Sequence, residues 1–216
     1  MSTILIFDLD DTLYPESTYV DSGFDAVAVW LYNRFGWDKL QSKSVMTDVL
    51  RKNGRGAVFN YLIWSHGVKT KQLVKECVNV YRHHTPVIEL YPEAKELINC
   101  LSKSPYLVTD GHKIVQDNKI KALNIMAYFK KIFITHRYGI KNAKPSLYCF
   151  NRIRILEKSS WDNLIYIADN PEKDFVNLNS VGAKTIRVLT GQHKDVVAKP
   201  GYDAIKVINS LYELPL

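Results

Sequence analysis

The chain has 216 residues, of which 46% are hydrophobic and 24% charged, a globular composition that excludes general disorder. At about 150 residues per domain the length suits one domain, or one plus an insert; no apolar run nears the ~18 residues of a membrane helix, and no basic segment precedes the first apolar run, so neither a membrane span nor a secretory leader is expected. The net charge of +7 is uneven: residues 1–33 hold six acids and no Lys or Arg, whereas residues 113–158 hold eleven Lys or Arg against Asp117 and Glu157.

The basic segment reads first as a solvated helix surface and second as a rim steering a phosphorylated substrate. A nucleic-acid groove is disfavoured, because its bases are not interleaved with aromatic stacking platforms. Cys77, Cys100 and Cys149 are odd in number, far apart and without a Cys-x-x-Cys pair, which fits a reducing, cytoplasmic setting.

In chain order, Thr3-Ile4-Leu5-Ile6-Phe7 is a short apolar run of the kind buried on both faces of a parallel sheet. Phe24, Val27, Ala28, Leu31 and Phe35 then fall at helical spacing, with Gly36 following as a stop. Further helices are predicted from Gln41 to Asn53, from Ala57 to Ser65, and after Thr70 as N-cap. Apolar runs return at Tyr106–Val108, Ile132–Ile134, Leu164–Ala168 and Thr185–Leu189, with helical patterns between the later ones. Strands alternating with helices indicate a doubly wound, Rossmann-like parallel α/β sheet. The stretch 15–91 interrupts it, so the expected organisation is a core of residues 1–14 and 92–216 with an all-helical cap domain inserted at 15–91.

The chemistry-bearing residues sit where these strands end. Asp8 and Asp10 follow the first strand two residues apart, hence on one face of an extended segment, at the edge where open parallel sheets bind ligands. Such a pair is either a metal or catalytic site or a solvated turn. Thr109-Asp110-Gly111 follows the second strand and leads into a helix near His112, which suits either an anion cradle or a plain N-cap. Lys144 precedes Pro145, expected in the first position of the next helix. Asp169 ends the fourth strand and Asp174 follows five residues later. Carboxylates from Asp8, Asp10 and Asp169 meeting at one edge would make an oxygen-rich site suited to Mg²⁺.

In this order and at these strand ends, the residues resemble the haloacid dehalogenase superfamily of aspartate-nucleophile phosphatases. Asp8-x-Asp10-x-Thr12 is similar to its first motif, Thr109 to its second, Lys144-Pro145 to its third, and Asp169 with Asp174 to its fourth. Ala168 departs from the glycine common in that fourth motif. The insert at 15–91 resembles the superfamily's C1-type helical cap.

The resemblance implies that Asp8 is the nucleophile, ionised at neutral pH, and that Asp10 protonates the leaving alcohol and later deprotonates water. It implies Mg²⁺ held by Asp8, the Asp10 carbonyl and Asp169. Thr109, Lys144 and the Asp110 N–H would hold the phosphoryl group, and Asp174 would orient Lys144 or a metal-bound water. Tyr19, Arg34 and Arg55 in the cap are expected to touch substrate. The expected substrate is a small phosphorylated metabolite, a sugar phosphate or a nucleotide. A phosphomutase, or a non-catalytic binding protein on the same fold, is the alternative.

Overall fold

The computed structural model describes residues 3–214. Its centre is a six-stranded sheet: β1 (Ile4–Phe7), β2 (Tyr106–Thr109), β3 (Lys131–Ile134), β4 (Leu164–Ala168), β5 (Lys184–Val188) and β6 (Lys206–Ile208). The strand order is β3-β2-β1-β4-β5-β6, and every neighbouring pair is parallel. The inner strands are apolar on both faces because helices cover both. Ile6, Tyr106, Val108, Phe133, Leu164 and Tyr166 belong to one buried cluster with Phe150 and Ile153 of the helix α7 defined below.

This order reverses between β1 and β4, and in sheets of this type the crevice for ligands lies outside the carboxyl ends at that reversal. Register carries the ladder one residue past β1, since the Asp8 N–H donates to the Ile167 carbonyl at 2.9 Å. The residues that leave β1 and β4 are thereby held side by side.

The helices are α1 (Glu16–Phe35), α2 (Lys39–Asn53), α3 (Val58–Ser65), α4 (Lys71–His83), α5 (Pro92–Cys100), α6 (Lys113–Ala122), α7 (Tyr148–Leu156) and α8 (Val176–Ser180). The chain divides into two compact units, one running through Ser17 and resuming at Ile88, the other spanning Thr18–Val87. The second unit is all-helical. Phe24, Val27, Leu31, Met46, Leu62 and Cys77 meet in its interior. Its helices start on side-chain caps: Asp38 accepts from the Gln41 N–H at 2.7 Å, and Thr70 from the Leu73 N–H at 3.0 Å.

One local expectation is corrected, and one strand was not expected. Pro145 does not open a helix, because the Ser146 N–H turns back to the Ala143 carbonyl at 2.9 Å and α7 begins only at Tyr148. The edge strand β6 had no apolar run to announce it. Two of its three residues are exposed, and it exists by pairing with β5.

Candidate active site

At the reversal of the sheet, Asp8 leaves β1 and Asp169 leaves β4, each 4% exposed. Lys144 comes in from the loop ahead of α7 with its side chain 1% exposed. Its Nζ lies 2.9 Å from Asp8 Oδ1, 2.7 Å from Asp174 Oδ1 and 2.9 Å from the Tyr166 hydroxyl. Tyr166, on β4, also donates to Asp174 Oδ1 at 3.2 Å, and the Asn170 N–H donates to Asp174 Oδ2 at 3.1 Å. Asp174 is thus fixed by three donors and in turn fixes the lysine.

The charges do not balance. Asp8, Asp169 and Asp174 each offer an oxygen within 4.8 Å of the others, and Lys144 pairs with two of the three, Asp8 and Asp174. Burial pushes the Asp8 carboxyl up to about 8, against the pull of Lys144 and with the push of Asp174. Burial likewise raises Asp169, although the hydrogen bond from His193 opposes it. Burial lowers Lys144, but Asp174 and Asp8 outweigh it and hold the ammonium well above its ordinary value. Burial thus works against ionisation of Asp8 while Lys144 works for it, and a further cation at the site would favour the carboxylate. An oxygen-only donor set of this kind fits a hard divalent cation held by Asp8 and Asp169.

Thr109 ends β2 fully buried, and its Oγ1 accepts from Gln116 Nε2 at 2.6 Å. Asp110 turns its carboxylate away from the strand: Oδ1 accepts from Thr135 Oγ1 at 2.5 Å and from the Lys144 N–H at 3.1 Å. It joins the ends of β2 and β3 to the lysine loop. Burial raises its pKa, but Lys144 and Lys173 outweigh this and hold it below the usual range. Gly111 follows with φ +132°, and a Cβ there would meet the Gln116 side chain at 3.1 Å. The glycine lets the chain turn while Gln116 lies against it.

The Asp10 side chain is not part of the acidic cluster. Tyr14 OH donates to its Oδ1 at 2.5 Å, Lys119 Nζ stands 2.6 Å from the same oxygen, and Gln116 Nε2 donates to Oδ2 at 2.8 Å. Burial favours protonation of this carboxyl, but Lys119 and the donors outweigh it and lower its pKa. Neighbouring Asp11 has φ +52°. Its carboxylate accepts from the Glu16 N–H at 2.8 Å and the Gln192 N–H at 3.1 Å, while its carbonyl accepts from the Thr190 hydroxyl. The loop after β5 is so close that a Cβ on Gly191 would sit 2.0 Å from Asp11 Cγ. That loop brings His193 Nδ1 to 2.9 Å from Asp169 Oδ2. Buried Arg187 anchors it from below, donating to the His193 carbonyl at 2.7 Å and the Val196 carbonyl at 2.8 Å.

The structure therefore brings Asp8, Asp169, Asp174 and Lys144 together, and sets Thr109 and Asp10 on a common partner, Gln116. The helical-unit residues are different. Tyr19 is corrected as a substrate contact: it is 2% exposed, edge-on to Tyr81 at 5.5 Å, and its hydroxyl donates to the Tyr81 carbonyl at 3.2 Å. Arg34 forms a close ion pair with Glu76 and lies 5.1 Å over the Trp30 ring. Arg55 is exposed in a short 3₁₀ turn, Arg55–Ala57. Sequence reasoning passed over Gln116, Lys119, Tyr166 and His193. The first two had a usable signal, a polar pair three residues apart on a helix that starts at the carboxyl edge of the sheet. His193 had none, since it lies in irregular chain.

Sheet order, acidic cluster and buried lysine define an α/β enzyme whose site lies at the topological reversal of a parallel sheet. The chain belongs to the haloacid dehalogenase-like hydrolase family, whose model matches residues 5–188. It is similar to a glyceraldehyde 3-phosphate phosphatase of Methanocaldococcus jannaschii, 24% identical over 97% of this chain and 94% of that protein. It is also similar to a protein of the same name from Methanopyrus kandleri, 23% identical over 91% of this chain and 88% of that one. Among solved structures, a magnesium-bound HAD hydrolase of Bacillus subtilis, YfnB, shares the fold with a TM-score of 0.68 at 19% identity, covering 98% of this chain and 96% of the other. Among the described residues no helix is long and apolar enough to cross a membrane.

Proposed function

We propose that this hydrolase is a Mg²⁺-dependent phosphatase acting on a small phosphorylated sugar through an aspartyl-phosphate on Asp8. The observation that carries the reading is Lys144 wedged between Asp8 and Asp174 inside an acidic cluster, which a divalent cation would turn into an anion-receiving site with a carboxylate facing the incoming phosphoryl group. The names of the relatives support a short sugar phosphate such as glyceraldehyde 3-phosphate as the first substrate to test, ahead of nucleotides.

In this reading an Asp8 oxygen attacks phosphorus as the ester P–O bond breaks, and Asp10, which must be protonated once the ester is bound, gives that proton to the departing alkoxide. Water then attacks the same phosphorus, Asp10 takes the water proton, and inorganic phosphate leaves with Asp8 restored. Lys144 and Thr109 hold phosphoryl oxygens throughout, and the Asp110 N–H is their partner. Asp174 keeps Lys144 in place. Mg²⁺, held by Asp8, Asp169 and the Asp10 carbonyl, would screen the repulsion between carboxylate and phosphate.

The test is release of inorganic phosphate from a panel of sugar phosphates and nucleotides with Mg²⁺. Release from short sugar phosphates supports the reading. Conversion of a sugar phosphate to its isomer without release would instead make the protein a mutase, and silence across the panel would refute a phosphatase of small metabolites.

A further inference from the structure

One buried cation and one buried amide have no part in the reading above. Gln116 and Lys119 stand three residues apart, on one face of α6, and are 1% and 2% exposed. A lysine buried so deeply is rare unless it is paired. Lys119 Nζ lies 2.6 Å from Asp10 Oδ1 and 3.4 Å from Glu16 Oε1. The Gln116 amide nitrogen, which carries two hydrogens, reaches Asp10 Oδ2 at 2.8 Å and Thr109 Oγ1 at 2.6 Å. A threonine hydroxyl that accepts from an amide keeps its own hydrogen to give elsewhere. Gly111 adds to the arrangement, since any side chain there would press on Gln116.

We propose that Gln116 and Lys119 are positioning residues that bind Asp10 and Thr109 into one rigid unit. The group that protonates the leaving oxygen and the group that donates to a phosphoryl oxygen then keep a set spacing through both half-reactions. Gln116 makes the Thr109 hydroxyl a donor toward the phosphoryl group, and Lys119 holds the Asp10 carboxylate on the leaving-group side. The inference rests on the phosphatase reading and extends it to two residues on a helix outside the acidic cluster. A purely structural role, neutralising buried acids, is the competing account.

The two accounts separate on leaving-group chemistry. An alkyl phosphate such as glyceraldehyde 3-phosphate expels a strongly basic alkoxide and needs the Asp10 proton, whereas p-nitrophenyl phosphate expels a stable phenolate and does not. Since kcat/KM reports steps up to aspartyl-phosphate formation, it isolates this difference. Lys119→Met is expected to lower kcat/KM on the alkyl ester by about 10²-fold, the typical worth of general acid catalysis, and on the aryl ester by no more than about threefold. Added to Asp10→Asn, it should cost nothing further, because nothing remains to be positioned. If Lys119→Met fails to fold, leaving Asp10 and Glu16 without their cation, Gln116→Leu keeps those charges balanced; it releases Thr109 as well as Asp10, so it should lower kcat/KM on both esters, and further on the alkyl ester. Equal losses on both esters, or losses that add to those of Asp10→Asn, would overturn the proposal while leaving the phosphatase intact. Wild-type protein inert toward both esters would overturn the phosphatase reading itself, and this inference with it.

Discussion

Lys144→Met removes the cation that pairs with both Asp8 and Asp174 while keeping the length and apolar stem of the side chain. The lysine, Asp8 and Asp174 side chains are 1%, 6% and 0% exposed, so solvent screens little of what is lost. Breaking a buried pair by deleting one partner costs about 3–5 kcal/mol, because the other charge stays buried without compensation. At roughly 2–4 °C per kcal/mol for a chain of this size, the metal-free variant should melt about 6–20 °C below wild type. The sign can be tested from the opposite side. Lys144→Met combined with Asp174→Leu removes the stranded charge along with its partner, and should recover most of the lost stability in denaturant unfolding. Phosphatase activity should stay lost in both, because the phosphoryl group then meets Asp8 without a facing cation. A single variant as stable as wild type, or a double variant no better than the single, would refute the view that Lys144 is held chiefly by these two carboxylates.

Asp8→Asn should abolish turnover and leave the fold intact. In EDTA the same substitution should also stabilise the protein, by an amount that grows as pH rises. Burial lifts the folded-state pKa from 3.8 to about 8, so the contribution of the Asp8 carboxyl to stability is full below about pH 4 and is lost as pH climbs through 8. The gain should reach the order of a few kcal/mol in urea titrations at pH 8, and a pH-independent difference would contradict the burial argument. Activity should vanish in EDTA and return with Mg²⁺, while excess Ca²⁺ should inhibit through its looser coordination; full activity after exhaustive chelation would mean that the acidic cluster serves another purpose. Gly191→Ala should cost roughly 1–3 kcal/mol through its left-handed backbone and the approach of Asp11, and unfolding at wild-type denaturant concentrations would show that this loop is not held against the site.

The sheet was legible because each inner strand is an apolar run, and Asp8, Thr109 and Asp169 were legible because each follows such a run directly. The helices of the insert could be read from their spacing and from caps such as Thr70. What escaped depends on contacts that no local pattern encodes. β6 is an edge strand with two exposed residues, stabilised by pairing and not by its own composition. Tyr19 looked like a reaching, hydrogen-bonding side chain, but its ring is buried against Tyr81 and His84, and burial of an aromatic ring outweighs exposure of one hydroxyl. Lys119 reads as a surface lysine until Asp10 and Glu16 are seen on either side of its ammonium. His193 is brought to Asp169 by the fold of a loop that Arg187 anchors, and its neighbours in sequence give no sign of that.

The central claim is that phosphate passes through Asp8. The direct measurement is rapid quenching of a single turnover of phosphate-labelled glyceraldehyde 3-phosphate with Mg²⁺, followed by mapping of the covalent label. The account predicts a transient, hydroxylamine-labile phosphoryl group on the peptide carrying Asp8, formed and lost as fast as turnover and absent from Asp8→Asn. Turnover with no covalent label at any time, or with the label on another residue, would contradict it.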